Sequence, residues 1–252
     1  LKELRCIGNR LTTLDVHGLS ALKGLNCSRN QLTALDAQGL NNLQVLACGS
    51  NQLTALNVQG LSNLERLSCE GNQLTTLNVQ GLSNLQSLRC HNNRLTALDV
   101  QGLTALQTLD CNRNQLTALN VQGLSALGWL DCDNNQLPAL NVQGLTALKW
   151  LNCWGNQLTA LNVQGLTALK WLDCRDNQLA ADAFKKLFDD LPQCADSDNA
   201  KCVLYTEQIG VTEGNHTDFT APSDLADAFN NAKNNKKWKM YKRHGSGNFS
   251  EI

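Results

Sequence analysis

A 21-residue period runs from Leu1 to Leu179, and no other feature of the chain leaves so few folds open. Aligned on itself, the sequence gives nine units that begin at Leu1, Leu22, Leu43, Leu64, Leu85, Leu106, Leu127, Leu148 and Leu169. The shared pattern is L-x-x-L-x-C-x-x-N-x-L-T-x-L-D/N-V-x-G-L-x-x. Nine cysteines hold its sixth position, from Cys6 to Cys174, and nine asparagines its ninth, from Asn9 to Asn177. So many matches in one register exclude an accident of composition. A period of this length belongs to stacked units, each touching only its neighbours.

The chemistry of one unit predicts its path. The segment x-x-L-x-C alternates, so it reads as a short strand with Leu and Cys on one side. Strands of successive units then stack in parallel about 4.8 Å apart. The asparagine sits where the strand turns away, and its amide is suited to bonding backbone groups of that turn. The L-T-x-L-D/N-V-x-G-L segment returns along the opposite side. Gly18 and its seven counterparts, through Gly165, suit a backbone with positive φ there. The return is too short for a long helix, so extended or 3₁₀-like geometry is expected. One unit offers seven inward apolar residues, too few to order 21 residues alone; stacking supplies the rest.

Both ends of such a stack need covering. The chain opens directly on a strand at Leu1, which predicts a mature or trimmed piece that once had upstream repeats or a cap, and an apolar end able to associate end to end. After Asn177 the pattern breaks. Phe184, Leu187, Phe188 and Leu191 have helical spacing, and Pro192 stops that helix. Lys201–Thr206 alternates like a strand, Pro222 suits a first helical turn followed by Leu225, Ala226 and Phe229, and Lys237–Lys242 alternates again with Trp238 and Met240 on one face. The expectation is therefore an α/β chain with two parts. Residues 1–179 form a right-handed horseshoe or superhelix with a parallel sheet on its concave face. Residues 180–252 form a helix–strand–helix–strand cap adding two rungs, with Lys237, Lys239 and Lys242 on the terminal edge strand.

The unit matches the leucine-rich-repeat consensus L-x-x-L-x-L-x-x-N/C-x-L with Cys in the third apolar slot. More narrowly, it resembles the cysteine-ladder repeats of internalin J-type bacterial surface proteins, from Leu1 to about Leu179. Leu191-Pro192-Gln193 and Asn248-Phe249-Ser250 resemble the C-terminal region of internalin-like proteins from Gram-negative oral and gut bacteria. The resemblance implies export, an extracellular or outer-surface location, and a part in adhesion, host interaction and virulence. An N-terminal cap and a sorting tail belong to the pattern and are not in this sequence.

Several chemistries are disfavoured. With 21 basic and 22 acidic residues the formal net charge is -1, so no global field selects nucleic acid or an anionic membrane. The basic run Lys233–Arg243 reads as sheet-edge protection, since no aromatic platform accompanies it. No apolar run is long enough for a transmembrane segment. In-register strands hold cysteine Cβ atoms near 4.8 Å apart, whereas a disulfide prefers about 3.8 Å, so the ladder reads as free, buried thiols. A one-dimensional ladder cannot close a tetrahedron around zinc. Cys194 and Cys202 lie outside it, and a bridge between them stays open. His17, His91, His216 and His244 assemble into no nucleophilic constellation. No metal, cofactor or catalytic residue is expected. Asn215-His216-Thr217 and Asn248-Phe249-Ser250 match the glycosylation pattern but read as empty in a bacterial protein.

Binding is where the repeats differ. The return positions barely change between units, whereas the outward strand positions vary freely. Position three runs Glu3, Gly24, Val45, Arg66, Ser87, Thr108, Trp129, Trp150, Trp171. Three tryptophans thus share one side, with Trp154 nearby and Asp110, Asp131, Asp133, Asp173 and Asp176 around them. Such neighbours sometimes only cover one another. Clustered exposed Trp is unusual, however, and the favoured reading is an aromatic hot spot or sugar-stacking platform rimmed by carboxylates. The expected function is a non-catalytic adhesion or recognition module for a host or neighbouring-cell protein or glycan. The alternative is a self-associating structural solenoid for cell–cell or biofilm contact.

Overall fold

A computed structural model describes residues 1–208, 210, 212–245 and 247–252. The chain divides into two compact units, Leu1–Leu127 and Gly128–Ile252. The first holds β1 (Glu3–Arg5), β2 (Gly24–Asn26), β3 (Val45–Ala47), β4 (Arg66–Ser68), β5 (Ser87–Arg89) and β6 (Thr108–Asp110). Each strand lies parallel to the next in register, Leu4 beside Leu25 and so on to Leu109. The second unit holds β7 (Trp129–Asp131), β8 (Trp150–Asn152), β9 (Trp171–Asp173), α1 (Ala181–Asp190), β10 (Lys201–Glu207), α2 (Ser223–Asn234), β11 (Lys239–His244) and β12 (Phe249–Glu251). Strands β7 to β11 pair in parallel, and β12 closes the row antiparallel to β11. This is a leucine-rich-repeat solenoid ending in an α/β cap, as the repeat predicts.

Each short strand turns only its central Leu inward, and the ladder Cys follows directly after the strand's last residue. Cys27 through Cys174 are buried, Cys6 is half-buried, and all eleven thiols are free. Burial pushes the Cys27 thiol up to about 12 and those of Cys48, Cys90, Cys132 and Cys153 well above their ordinary value. These sulfurs behave as small hydrophobes, not as nucleophiles.

The ninth-position asparagines bind rung to rung. Asn30 Nδ2 donates to the carbonyls of Cys6 and Cys27, both at 2.9 Å, while its Oδ1 accepts from Leu11 N at 3.1 Å. One amide thus satisfies backbone groups of its own unit and of the preceding one, which would otherwise be buried unpaired. Asn51, Asn72, Asn156 and Asn177 repeat the arrangement. Position fifteen is Asp or Asn for a similar reason. Asp15 Oδ1 accepts from His17 N at 2.9 Å, an Asx turn that leads into Gly18 at φ +75°. Leu19 N then bonds Val16 O and Leu22 N bonds Leu19 O, so the return is built of 3₁₀-like turns. A second left-handed position escaped the sequence reading. Position eight has φ near +50° to +70° whether it is Gly8, Arg29, Ser50, Arg113 or Asp176.

The cap forms as its patterns predict, with one correction. Helix α1 buries Phe184, Leu187 and Phe188, and α2 follows Pro222 and buries Leu225, Ala228 and Ala232. Phe184, Phe188 and Phe229 meet through Phe219, with ring centroids 5.1–5.6 Å from it. Trp238 is buried, and its Nε1 donates to Pro192 O at 2.9 Å. The correction is that β11 is not the terminal edge, because β12 folds back onto it. Lys239 and Lys242 are therefore not edge protection; they reach Asn199 Oδ1 and Glu207 Oε2, each at 2.9 Å. The bridge left open between Cys194 and Cys202 is not made, and both thiols are free. Cys202 faces the core from β10, and the Cys194 sulfur accepts from Lys170 Nζ at 3.5 Å.

Candidate ligand-binding face of the second unit

Register places Trp129 beside Trp150 and Trp150 beside Trp171. Their ring centroids are 4.3 Å apart at both steps, with planes within 5° of parallel. The strand spacing thus closes the indoles into a face-to-face deck. Rings stacked this way cover one another's faces and present their edges outward. Trp129 is 39% exposed, while Trp150 and Trp171 are half-buried. Trp150 Nε1 and, two residues on, Asn152 Oδ1 are buried without a hydrogen-bond partner.

The neighbouring columns contain the acids, and two of those are braces, not rim. Asp133 is buried and accepts from Asn134 Nδ2 at 2.6 Å and Asn152 Nδ2 at 2.8 Å. Asp173 is 4% exposed and accepts from Arg175 Nε at 3.0 Å. Burial pushes its carboxyl up to about 6, against the pull of the adjacent guanidinium. Arg175 is equally buried. Its guanidinium carbon lies 4.1 Å from the Trp154 ring centroid, and its Nη1 is 3.6 Å from Asp176 Oδ2. The expected carboxylate rim therefore shrinks. Asp131 remains half-buried on β7, and Asp110 sits on β6 in the first unit, where it meets His91 Nδ1 at 2.9 Å. Trp154 carries Arg175 on one face.

Arg175, Asn152 and Glu213 are the residues that sequence reasoning missed. The first had a signal: Asp173, which ends β9, is followed two residues on by the opposite charge of Arg175. Glu213 had none. It comes from a cap loop to accept from Thr206 N at 2.5 Å and Asn215 N at 3.1 Å, while Thr206 Oγ1 donates to Asp176 Oδ2 at 3.1 Å. Burial, with Asp176 alongside, pushes the Glu213 carboxyl up to about 7. Among the described residues no three His, Cys, Asp or Glu side chains converge to hold a metal ion, and no helix is long and apolar enough to cross a membrane.

With this geometry in hand, known proteins place the chain. The family described as Leucine Rich repeats (2 copies) matches residues 83–127. No curated protein matches the sequence. The chain is similar to the functional domain of InlJ from Listeria monocytogenes, described as including a cysteine ladder. Identity is 37% and the TM-score 0.70, over 71% of this chain and 40% of that one. It is also similar to the leucine-rich-repeat protein LIC12759 of Leptospira interrogans, at 25% identity and TM-score 0.72, over 95% of this chain and 66% of that one. A third likeness is to a chain of the octameric complex of Latrophilin 3, Unc5D and FLRT2 (LRR), at 25% identity and TM-score 0.63, over 75% and 65% respectively. The chain thus spans less than half of the InlJ chain. By fold and repeat this is a leucine-rich-repeat protein. With a cysteine in every rung, it is an internalin-like, cysteine-ladder member of that class.

Proposed function

We propose that the chain is a non-catalytic recognition module of a bacterial protein, displayed outside the cell, that binds another protein through the strand face of its second unit. In this reading residues 1–179 are the solenoid, residues 180–252 are its cap, and the contact residues are Trp129, Trp150 and Trp171 with Trp154 and Asp131 beside them. Asp133 and Asp173 hold the face in shape, and Asp110 is not needed. The single observation that carries the proposal is the deck of three indoles, whose outer member is 39% exposed on a rigid sheet. Aromatic side chains in a packed cluster are the commonest energetic centre of protein interfaces. The complex containing FLRT2 is a case of a leucine-rich-repeat protein assembled with other proteins, and likeness to InlJ supports bacterial origin and export.

Protein is favoured over glycan because a sugar stacks on an open indole face. The deck offers edges along its length and leaves faces free only at its ends. Edges and half-buried rings suit the irregular apolar side chains of a protein. The test is a selection of displayed protein fragments against the folded chain, run beside a glycan array. The expected outcome is enriched polypeptide ligands whose binding falls on replacing Trp129 with Ala. Ligands found only on the glycan array, or polypeptides indifferent to that replacement, would overturn the proposal.

A further inference from the structure

On the open face of the first unit, the chain leaves a recess of about 330 Å³ that contains two arginines. Arg66 begins β4 and Arg89 ends β5, so they lie on a diagonal across adjacent strands. The register puts Ser87 beside Arg66 and Ser68 beside Arg89. The other two corners of this square are therefore small hydroxyl residues, which opens the space between the guanidiniums. Val45, Gln86, Gln107 and Thr108 complete the wall, and no carboxylate lines it. Both arginines are exposed. Neither side chain has an ion pair or hydrogen bond with a described residue, although Glu70, Asp110 and Glu65 are all close in sequence or register.

Glu70 is turned away from the recess and Asp110 is engaged elsewhere. The Glu70 carboxylate lies across Gly49, where a Cβ would come within 2.2 Å of its Oε1. Asp110 is held by His91 at 2.9 Å. Two forked, unpaired cations above a floor of hydroxyl and amide groups make a set of hydrogen-bond donors that one planar oxyanion satisfies.

We infer that this recess is a binding site for a carboxylate side chain of a polypeptide ligand. Arg66 and Arg89 take its two oxygens from opposite sides, and Ser68 and Ser87 donate beneath. A single carboxylate is favoured over a polyanion by what surrounds the site. Glu65, Glu70 and Asp110 border the two arginines, so a sulfated glycan or nucleic acid meets repulsion one residue beyond the recess. The site lies in the first unit and does not rest on the tryptophan deck, so either reading can fail alone.

The test is a side-chain NMR titration of the ¹⁵N-labelled full chain. The probes are acetyl-Gly-Glu-Gly-amide, its Gln counterpart, and a sulfated disaccharide. The Nε–H signals of Arg66 and Arg89 are expected to shift saturably with the Glu peptide and not with the Gln peptide. Arg66→Gln and Arg89→Gln should each weaken that binding about tenfold, the usual weight of one charge-assisted pair, whereas Arg94→Gln outside the recess should leave it unchanged. Equal shifts with the Gln peptide, no shift at all, or a response to the sulfated sugar alone would each overturn the assignment. Backbone amide spectra of the variants, unchanged beyond the recess, separate lost binding from lost folding.

Discussion

Asn215 extends the asparagine ladder from within the cap. Its Oδ1 accepts from Leu179 N, and its Nδ2 donates to Cys174 O and Leu204 O, all at 2.9 Å. It is the tenth rung of a nine-residue series and is 5% exposed, so its glycosylation-like context is a coincidence of neighbours. Asn215→Ala removes the partner of Leu179 N and of Leu204 O, while Cys174 O keeps Asn177 Nδ2 at 3.0 Å, and denaturant unfolding should show a loss of at least about 2 kcal/mol. Cys90→Ser puts an unpaired hydroxyl in the ladder and should cost about 1–3 kcal/mol; thiol counting should find the ladder unreactive until the chain is denatured. The nine repeat asparagines were legible because repetition in register is itself the signal. Asn215 was not, since a single residue in a loop of unknown path carries no register.

Glu213 and Asp173 add a pH dependence at this same scale. Their carboxyls stand at about 7 and about 6 in the folded chain, against ordinary values of 4.5 and 3.8. Between each ordinary value and its raised one, the folded chain binds more protons than the unfolded chain. The contribution of each group is therefore fully present below its ordinary value and is lost as pH rises through the raised one. Thermal unfolding should show Glu213→Gln flattening the decline in stability between about pH 5 and pH 7 relative to the parent chain. An unchanged slope would mean that Glu213 is not held as described.

At the scale of elements, the period shows which side of the sheet each side chain leaves by, and that much of the site was readable. It is silent on how a side chain turns about χ2, and that angle decides between a platform of faces and a deck of edges. With a stacked neighbour on each side, Trp150→Ala should cost about 1–3 kcal/mol of stability, and Trp129→Ala, which loses one such contact, about half of that. The rim was misread for a similar reason. Acidic residues look alike in sequence, but Asp133 and Asp173 are turned inward onto Asn152 and Arg175. The helices and strands of the cap were legible from apolar spacing. The reversal into β12 was not, because Phe249–Glu251 is too short to show a period. Deleting residues 180–252 would bare Leu172, Cys174 and Leu179, and should abolish cooperative unfolding or cause aggregation.

At the scale of the whole molecule, constancy and variation divide the work. Leucine, cysteine and asparagine recur in every rung and are consumed by the fold. The outward strand positions are free to differ, and the two units have used that freedom differently. The first presents arginines over serines, and the second stacked indoles braced by buried ion pairs. The account stands on the claim that the indole deck is a binding surface and not merely packing. The most direct measurement is calorimetric affinity for a polypeptide ligand selected on the parent chain, compared between parent and Trp129→Ala, with thermal unfolding of both in parallel. The expected affinity is at least about thirtyfold weaker, as for an aromatic hot spot, while the variant still unfolds cooperatively. Unchanged affinity together with a destabilised fold would contradict it.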